Sequence, residues 1–588
     1  MTRDDLVEPR SRLRQLAREY AAPILAGVAL AAPTVLARFP PMTDLPLHDA
    51  VIGMMRHLHD PAYFPPDLYR LNLGHPNQLF HLSAWALSYV FGVDGGCKAV
   101  IALSQVGIVV GGARLARYLG RSTWAALLLA PLALGWSYFW GLVANLVGFA
   151  MILFALPTLD RAVERPSARG FLTSSLWMLV LYLAHESVMV VACSAVLVFT
   201  LGQPLERRRT ALRLAPIGVA LVVFVTHMIV QTRMIGVQRG GASTLTFRGF
   251  GARLDSIPVT LTGSLDVVSR TALFGLAMLC VLVLGLERWR GRGDPAPRRF
   301  APFVHRYRFE LTALVNGVAY FVMPFGIAGG TMFNHRFYHP AYALLVLSLG
   351  PSWERRRLSL LAKTIAAALP AAILLIDWPQ FVEADHLARD LDRLIPEIAM
   401  DSSLVFVEAD PLGGTRIFVG STTGARTLAQ RGGRLLFSMT ASVIAPVQFN
   451  PALAWREAEA RVSVNTLRLR PEHDLKMFRY VLVHSRDPNV ALLVRAAMGD
   501  DARFVDLSGE WSLFESSLPR IAVDAPEIPL PSPAPHTLGW RIRQVVAALH
   551  DRGAPAPANL ALPEDTEPGA DGLDGPDGDA GESQAPAR

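Results

Sequence analysis

The sequence predicts a mainly α-helical, polytopic membrane protein: a transmembrane helical bundle with a juxtamembrane helix, followed by a small C-terminal α/β domain outside the membrane. Three observations predict it. The 588 residues are 52% hydrophobic and 18% charged with mean hydropathy +0.32, too apolar and too long for one ordinary soluble domain. Apolar runs long enough to cross a hydrocarbon core, which takes roughly 20 helical residues, recur from Ala21 to Asp377. Past Trp378 the pattern changes to short β-branched strands alternating with helices.

In chain order, residues 1–20 form a polar, Arg-rich cytoplasmic N-terminus, and Ala21–Phe39 is the first span. Its long basic flank and the many spans that follow favour a start-transfer anchor over a cleaved signal peptide. Further runs lie near 97–113, 122–140, 142–159, 171–185, 187–202, 211–232, 270–287, 309–329, 337–350 and 359–377, making about 11 candidate spans. The run Gln78–Val93 offers one more, and the distribution of positive charge decides against it. If it does not cross, the N-terminus, ARLARYLGR, DRAVERPSAR, PLERRRTALR, ERWRGRGDPAPRRF and SWERRRL all fall on one side. It therefore reads as a juxtamembrane or re-entrant helix on the outer side. The net charge of +7 is on this reading a topology signal and not a nucleic-acid footprint. Cys97, Cys193 and Cys280 lie in or beside apolar runs without paired spacing and read as packing residues.

The same topology puts the loop 40–77, SYFWGLVAN, AHES, the stretch from Arg233 to Val268, TMFNHRFYHP and everything after Trp378 together outside. The transmembrane domain then spans 21–378 and an extracytoplasmic α/β domain 379–535. In the latter, Ala384–Ile398 and Asn489–Met498 read as helices. Ser403–Glu408, Tyr480–His484, Arg503–Leu507 and Trp511–Glu515 read as strands of a small, mostly parallel sheet. His473 and Asp474 read as a solvated turn. Residues 536–550 carry an amphipathic helix that lies on the membrane or on the domain. From Asp551 onward the Pro/Gly/Asp-rich tail is expected to be disordered.

The loop from Thr43 to Asn77 is the one long polar interruption early in the chain, and it carries Asp44, His48, Asp49, His75 and Asn77 at a membrane surface. Carboxylates and imidazoles there suit acid/base work, against the plainer reading of a solvated loop that caps short helices. His185 and Glu186 turn a hairpin between two short apolar runs, where an ionisable pair is costly unless it is used. Asn145 reads as helix-packing glue. Arg336, between His335 and His339 at the mouth of a span, suits a phosphate, because its planar fork matches phosphate oxygens; the alternative is interfacial anchoring. Arg248 and Arg253 lie in a Gly/Ser/Thr-rich stretch of the kind used as a binding loop or lid.

A single span, an outer loop with an early acidic residue, a juxtamembrane helix, many spans and an outer α/β domain resemble the GT-C superfamily of membrane glycosyltransferases. The nearer resemblance is to bacterial protein O-mannosyltransferases and lipid A aminoarabinose transferases. TDLPLHDA, LNLGHPNQLFHLSAWALSYVFG and RLARYLGRSTWAALLLAPLAL carry it. It implies a bacterial inner-membrane enzyme that moves a sugar from a polyprenyl-phosphate donor to an envelope glycan, lipid or protein acceptor, with the C-terminal domain on the periplasmic side. By that resemblance Asp44 is the base. This chain has no adjacent Asp-Glu pair in the loop, carrying Asp44, His48 and Asp49 instead.

Inverting displacement needs a carboxylate to take the acceptor proton and cations to stabilise the departing phosphate. The catalytic assignments are Asp44, assisted by His48, with Asp49 beside them. The substrate-binding assignments are Arg336 with His75, Asn77, His185, Glu186, Arg248, Arg253, His335 and His339. No cofactor is required, although a divalent metal on Asp44, His48, His185 and Glu186 is chemically compatible. The competing readings are a transporter or flippase of lipid-linked glycans and a non-catalytic envelope assembly protein. Transporters often show internal repeats with matching interrupted helices, and no such repeat is visible in the sequence.

Overall fold

A computed structural model describes residues 9–551 apart from 239–244, 264–265, 291–298, 328–331, 350–359, 409–419, 436–444, 451–465, 524–530 and 533–534. The expected tail disorder falls outside the described residues. Over the described residues the apolar runs are helical for most of their length. They occupy Pro9–Leu36, Leu79–Tyr118, Val143–Glu164, Ala168–Ala184, Glu186–Leu201, Arg207–Gln238, Val267–Arg290, Phe300–Val322, His335–Leu349 and Leu360–Leu394, with a broken segment, Thr123–Phe139, between the second and third. Among the described residues six helices are long and apolar enough to cross a membrane, and Thr123–Phe139, Ala168–Ala184 and Glu186–Leu201 are shorter apolar helices. Large apolar side chains such as Leu221, Val222 and Leu282 stay exposed on the outward faces, as a bundle bathed in lipid requires.

The Leu79–Tyr118 helix has 40 residues, about 60 Å if straight, twice the thickness of a hydrocarbon core. It is not straight. Gly92 takes φ 75° and ψ 173°, and beyond it the chain folds back until a Cβ built at Gly96 would lie 2.6 Å from the Ala84 carbonyl oxygen. Twelve residues apart on one helix, those positions would be about 18 Å apart. Leu79–Phe91 is therefore a separate limb packed beside the start of the next helix.

Two buried polar clusters inside the bundle are internally satisfied, as a medium without water favours. The Thr34 hydroxyl lies 3.0 Å from Gln105 Oε1 and 2.9 Å from the Tyr138 hydroxyl, tying three helical segments together. Arg308 grips Asp160 with two bonds of 2.8 Å, and the Tyr118 hydroxyl donates to the same carboxylate at 2.8 Å.

The last long helix, Leu360–Leu394, runs without a break from the bundle into the C-terminal unit. The expected span 359–377 and helix 384–398 are thus one element, despite Pro370 and Pro379. The strands are β1 (Tyr69–Leu71), β2 (Leu245–Thr246), β3 (Gly326–Ile327), β4 (Ser403–Glu408), β5 (Arg434–Leu435), β6 (Val447–Phe449), β7 (Tyr480–His484), β8 (Ala502–Ser508) and β9 (Trp511–Ser516). Five of them make one sheet in the order β5-β4-β7-β9-β8. β4 pairs parallel with β5 and β7, whereas β9 pairs antiparallel with β7 and β8, so the sheet is mixed and not mostly parallel. The reason is local: β8 and β9 close as a tight hairpin at Gly509, whose φ of 57° suits glycine.

His473 and Asp474 are buried and paired at 2.8 Å, and Asp474 also accepts the Arg470 amide at 2.7 Å. They are a structural turn and not a solvated one. The helix Leu538–Asp551 lies on the C-terminal unit: Leu538 and Ile542 are buried in its core, and Arg541 donates to Asp501 at 2.9 Å.

This unit sits on the 40–77 loop. β6 pairs antiparallel with β1 in the loop, and the loop helix Leu45–His57 packs against the helix Ala425–Arg431. The approach is close enough that a Cβ on Gly53 would lie 2.9 Å from the Ala429 carbonyl oxygen.

Two outcomes follow from this architecture. Gly92→Ala has nothing within 4 Å to meet its new methyl, so its cost is backbone strain alone, about 1–3 kcal/mol in detergent unfolding. If Leu79–Phe91 does not cross, single cysteines placed at the exposed positions His59 and Gly120 are modified by a membrane-impermeant reagent from opposite faces of the membrane. Modification of both from one face would overturn the topology.

Candidate active site

Asp44 occupies the N-cap position of Leu45–His57 and makes no capping hydrogen bond with its carboxylate. Helix formation at this point rests on Pro46 near the first turn, which leaves the acid free for other work. Its backbone is pinned from behind. The Thr43 and Asp44 amides donate to the carbonyls of Phe139 and Trp140 at 2.8 and 3.3 Å, and Gly141 presses so close that a Cβ there would lie 2.6 Å from the Asp44 nitrogen. Burial raises the Asp44 carboxyl from the ordinary carboxylate range to about 6.

His48, one turn along, lies with Nε2 3.2 Å from the Gly141 carbonyl and Nδ1 2.9 Å from Nε2 of His81. The carbonyl can only accept, so His48 carries its proton on Nε2 and takes a bond from His81 through Nδ1. Both ring nitrogens are thereby engaged, and burial lowers the His48 pKa well below its usual value, favouring the neutral ring. His48 holds Gly141, and Gly141 backs Asp44. Asp49, about 100° further round the helix, faces away from these groups toward Asp94, Cys97, Lys98 and Arg426. Burial, with the neighbouring Asp94 charge, pushes its carboxyl up to about 8, whereas the Cys97 hydrogen bond, Arg426 and Lys98 act the other way.

A second group forms where Ala168–Ala184 gives way to Glu186–Leu201. His185 is extended (φ −170°, ψ 131°) and caps the following helix, its Nδ1 accepting the Ser187 amide at 3.1 Å. An acceptor Nδ1 places the proton of a neutral ring on Nε2. Arg336 Nη1 lies 3.1 Å from that Nε2. Two donors thus face each other, an arrangement that becomes favourable when both point to one anionic acceptor. Arg336 Nε is buried without a partner, and Glu186 Oε1 stands 3.7 Å from Nη1.

One short segment connects the two groups. Gly141 touches Asp44, and seven residues later a Cβ on Gly148 would meet His185 Cβ at 3.5 Å. Between them on the same segment is Asn145, whose side-chain oxygen and nitrogen are both buried without partners. Asn77, at φ 65°, also has a buried side-chain oxygen without a partner.

The remaining predicted residues form neighbouring clusters. His335 and His339 lie one turn apart on a single helix. His335 Nδ1 lies 3.0 Å from the Thr260 hydroxyl, and His339 Nε2 donates to the Thr260 carbonyl at 2.9 Å, with Trp136 against both rings. His335 Nε2 and His339 Nδ1 are buried without partners. Arg253 gives Nε to the Arg248 carbonyl and Nη1 to those of Tyr320 and Met323, while Arg248 lies 3.7 Å over the Phe325 ring. His75 sits between His227 at 3.2 Å and Asn72 at 2.9 Å.

Sequence reasoning missed His81, Trp136, Gly141 and His227. His227 had a visible signal, an ionisable side chain within an apolar run; Gly141 had none, because its role arises from a contact with a residue nearly a hundred positions away. Among the described residues no three His, Cys, Asp or Glu side chains gather closely enough to hold a metal ion, and the set Asp44, His48, His185 and Glu186 is not assembled as one.

No protein-family model matches the chain, and no curated protein matches it. Among solved structures it is similar to that of ArnT from Cupriavidus metallidurans bound to undecaprenyl phosphate, at 13% identity and TM-score 0.45, over 83% of this chain and 96% of that one. It is also similar to the Archaeoglobus fulgidus oligosaccharyltransferase complex with zinc and sulfate, at 11% identity and TM-score 0.36, over 79% of this chain and 68% of that one.

The shifted carboxyl gives a pH signature. If Asp44 acts as a base it works ionised, so kcat/KM climbs as pH rises through about 6 and then levels off. Stability runs the other way. A carboxyl raised above its unfolded value stabilises the fold fully below about 3.9, and that contribution is lost as pH rises through about 6. Asp44→Asn should remove this part of the pH dependence of unfolding; an unchanged pH profile would show that Asp44 does not titrate there.

Proposed function

We propose that this protein is an integral membrane glycosyltransferase that moves a sugar from a polyprenyl-phosphate donor to a hydroxyl of an acceptor at the face carrying the Leu45–His57 helix. The observation that carries the reading is the Gly141–Gly148 segment. It holds a partly exposed carboxylate at one end, a pair of hydrogen-bond donors that call for an anion at the other, and the unpartnered amide of Asn145 between them.

In the proposed step Asp44 takes the proton from the acceptor hydroxyl as its oxygen bonds to the anomeric carbon from the side opposite the leaving group. The bond from that carbon to the phosphate oxygen breaks, and the phosphate departs with the electron pair. Arg336 and the Nε2–H of His185 receive the departing charge, an electrostatic contribution of several kcal/mol in a site shielded from water. Arg336 offers a planar fork of fixed charge, and Glu186 at 3.7 Å holds that charge in place. His48 and His81 act behind Asp44 by fixing Gly141. On this reading the unpartnered amides of Asn145 and Asn77 are assigned to sugar hydroxyls, and the buried Trp136, His335 and His339 rings, packed on one another, support the wall behind them. Arg253, committed to three main-chain carbonyls, braces the segment that carries Arg248. Asp49 takes no part in the chemistry on this reading.

The test is transfer from a panel of polyprenyl-phosphate sugars to membrane extract by the purified, reconstituted protein. Asp44→Asn keeps size and hydrogen-bonding shape but cannot take a proton, and should lower kcat by about 10² to 10⁴ with donor binding intact. Arg336→Lys should weaken donor binding as well, since an ammonium is a point charge without the fork. Parental rates in Asp44→Asn would refute the assignment. A parent protein that releases no polyprenyl phosphate from any donor but moves labelled lipid between leaflets would replace the reading with that of a flippase.

A further inference from the structure

Among the described residues the C-terminal unit contributes no side chain to either group, yet its hold on the loop that carries Asp44 is direct. Three separate contacts reach the loop helix and its flanks. Thr422 donates its hydroxyl to the carbonyl of Thr43, the residue before Asp44. Ala429 lies against Gly53 at backbone contact distance, where no other residue fits without a shift. Arg426, 2% exposed, ties Asp392 at 3.0 Å and Asp94 at 3.5 Å and lies 4.3 Å over the Phe39 ring, so that its charge bridges the first span, the limb after Gly92 and the long C-terminal helix.

A fourth contact enters the loop further along. Asn72 gives its amide to the Pro446 carbonyl at 2.7 Å and its side-chain nitrogen to the Ala445 carbonyl at 2.9 Å. The same residue accepts Gln78 Nε2 at its carbonyl, 2.7 Å away, and Gln78 heads the limb that carries His81 and through it His48. Contacts from the C-terminal unit therefore end one residue from Asp44 at one side and at the other on Asn72, which is bonded to Gln78 three residues before His81.

We propose that the C-terminal unit is a positioning clamp for the acid, with Thr422, Arg426 and Asn72 as positioning residues that fix the loop helix and hence the direction of the Asp44 carboxylate. The inference rests on the transferase reading for its kinetic consequence but not for its structural one. Arg336 and His185 belong to the bundle and do not touch the clamp residues, so loosening the clamp should slow the chemical step and leave donor binding as it was. Misplacement by about 1 Å from outside the chemistry can cost about 100-fold in rate.

The experiment uses the full-length protein in nanodiscs, with Thr422→Val, which replaces the hydroxyl with a methyl that cannot bond to the Thr43 carbonyl, and Gly53→Ala, which drives the two helices apart. Two readouts are taken: amide hydrogen exchange across residues 43–57, and kcat against donor KM. Both variants should exchange faster in 43–57, by about tenfold or more, while β7 exchanges as in the parent. Each should lower kcat with donor KM within about twofold of the parent, as expected when an interaction specific to the transition state is lost. Parental exchange and parental kcat in both variants would overturn the clamp. Faster exchange through β7 together with a raised KM would also overturn it, by showing general loosening of the fold. A parent without transferase activity would refute the transferase reading alone, since the exchange measurement would still decide whether the loop is held.

Discussion

Gly141 and Asp44 touch through their backbones, and the arrangement of the site follows from that contact. Gly141 takes φ 74°, a region that favours glycine, and a side chain there would fall on the Asp44 nitrogen. The first loop can therefore lie flat against the turn before Val143–Glu164, with the Thr43 and Asp44 amides bonded to that turn's carbonyls. Asp44 is held at the edge of the bundle, dry enough to be hard to ionise and open enough to meet a substrate.

The two halves of the site differ in how they are made. The carboxylate half is built from long-range backbone contacts, and its titration follows from burial. The cationic half is nearly local: a helix ends, His185 turns, and Ser187 fixes the imidazole tautomer so that its remaining N–H points at Arg336. Buried donors facing one another cost energy in the absence of an acceptor. The chain keeps that cost in a place where other polar atoms, on Asn145, Glu186 and Arg336 itself, are also left without partners. Elsewhere in the bundle, at Thr34–Gln105–Tyr138 and Asp160–Arg308–Tyr118, buried polar groups are matched.

Asp49 and His48 show how adjacent residues on a helix separate in role. One step along the chain turns the side chain by about 100°, so His48 reaches Gly141 while Asp49 enters a charged seam with Asp94, Lys98 and Arg426. The seam joins the bundle to the C-terminal unit. His75 and Asn72 do similar work at the loop's far end, where a two-stranded ladder between β1 and β6 completes the attachment.

By itself the sequence determined the helical bundle, the runs that become its helices, the separation of 78–93 from the helix that follows and the strands β4, β7, β8 and β9. These depend on hydrophobic period, span length and charge asymmetry, which are properties of neighbouring residues. It also marked Asp44, His185, Glu186 and Arg336, because ionisable groups at the ends of apolar runs are conspicuous. What only the tertiary structure decided is which of those groups meet. The separation of Asp49 from Asp44, the role of His81, the closeness of Gly141 and Gly53 to their neighbours, the mixed sheet and the continuous Leu360–Leu394 helix all depend on distant residues brought into contact. Such contacts leave no periodic trace, since their energy comes from packing and hydrogen bonding between segments that local propensity treats as independent.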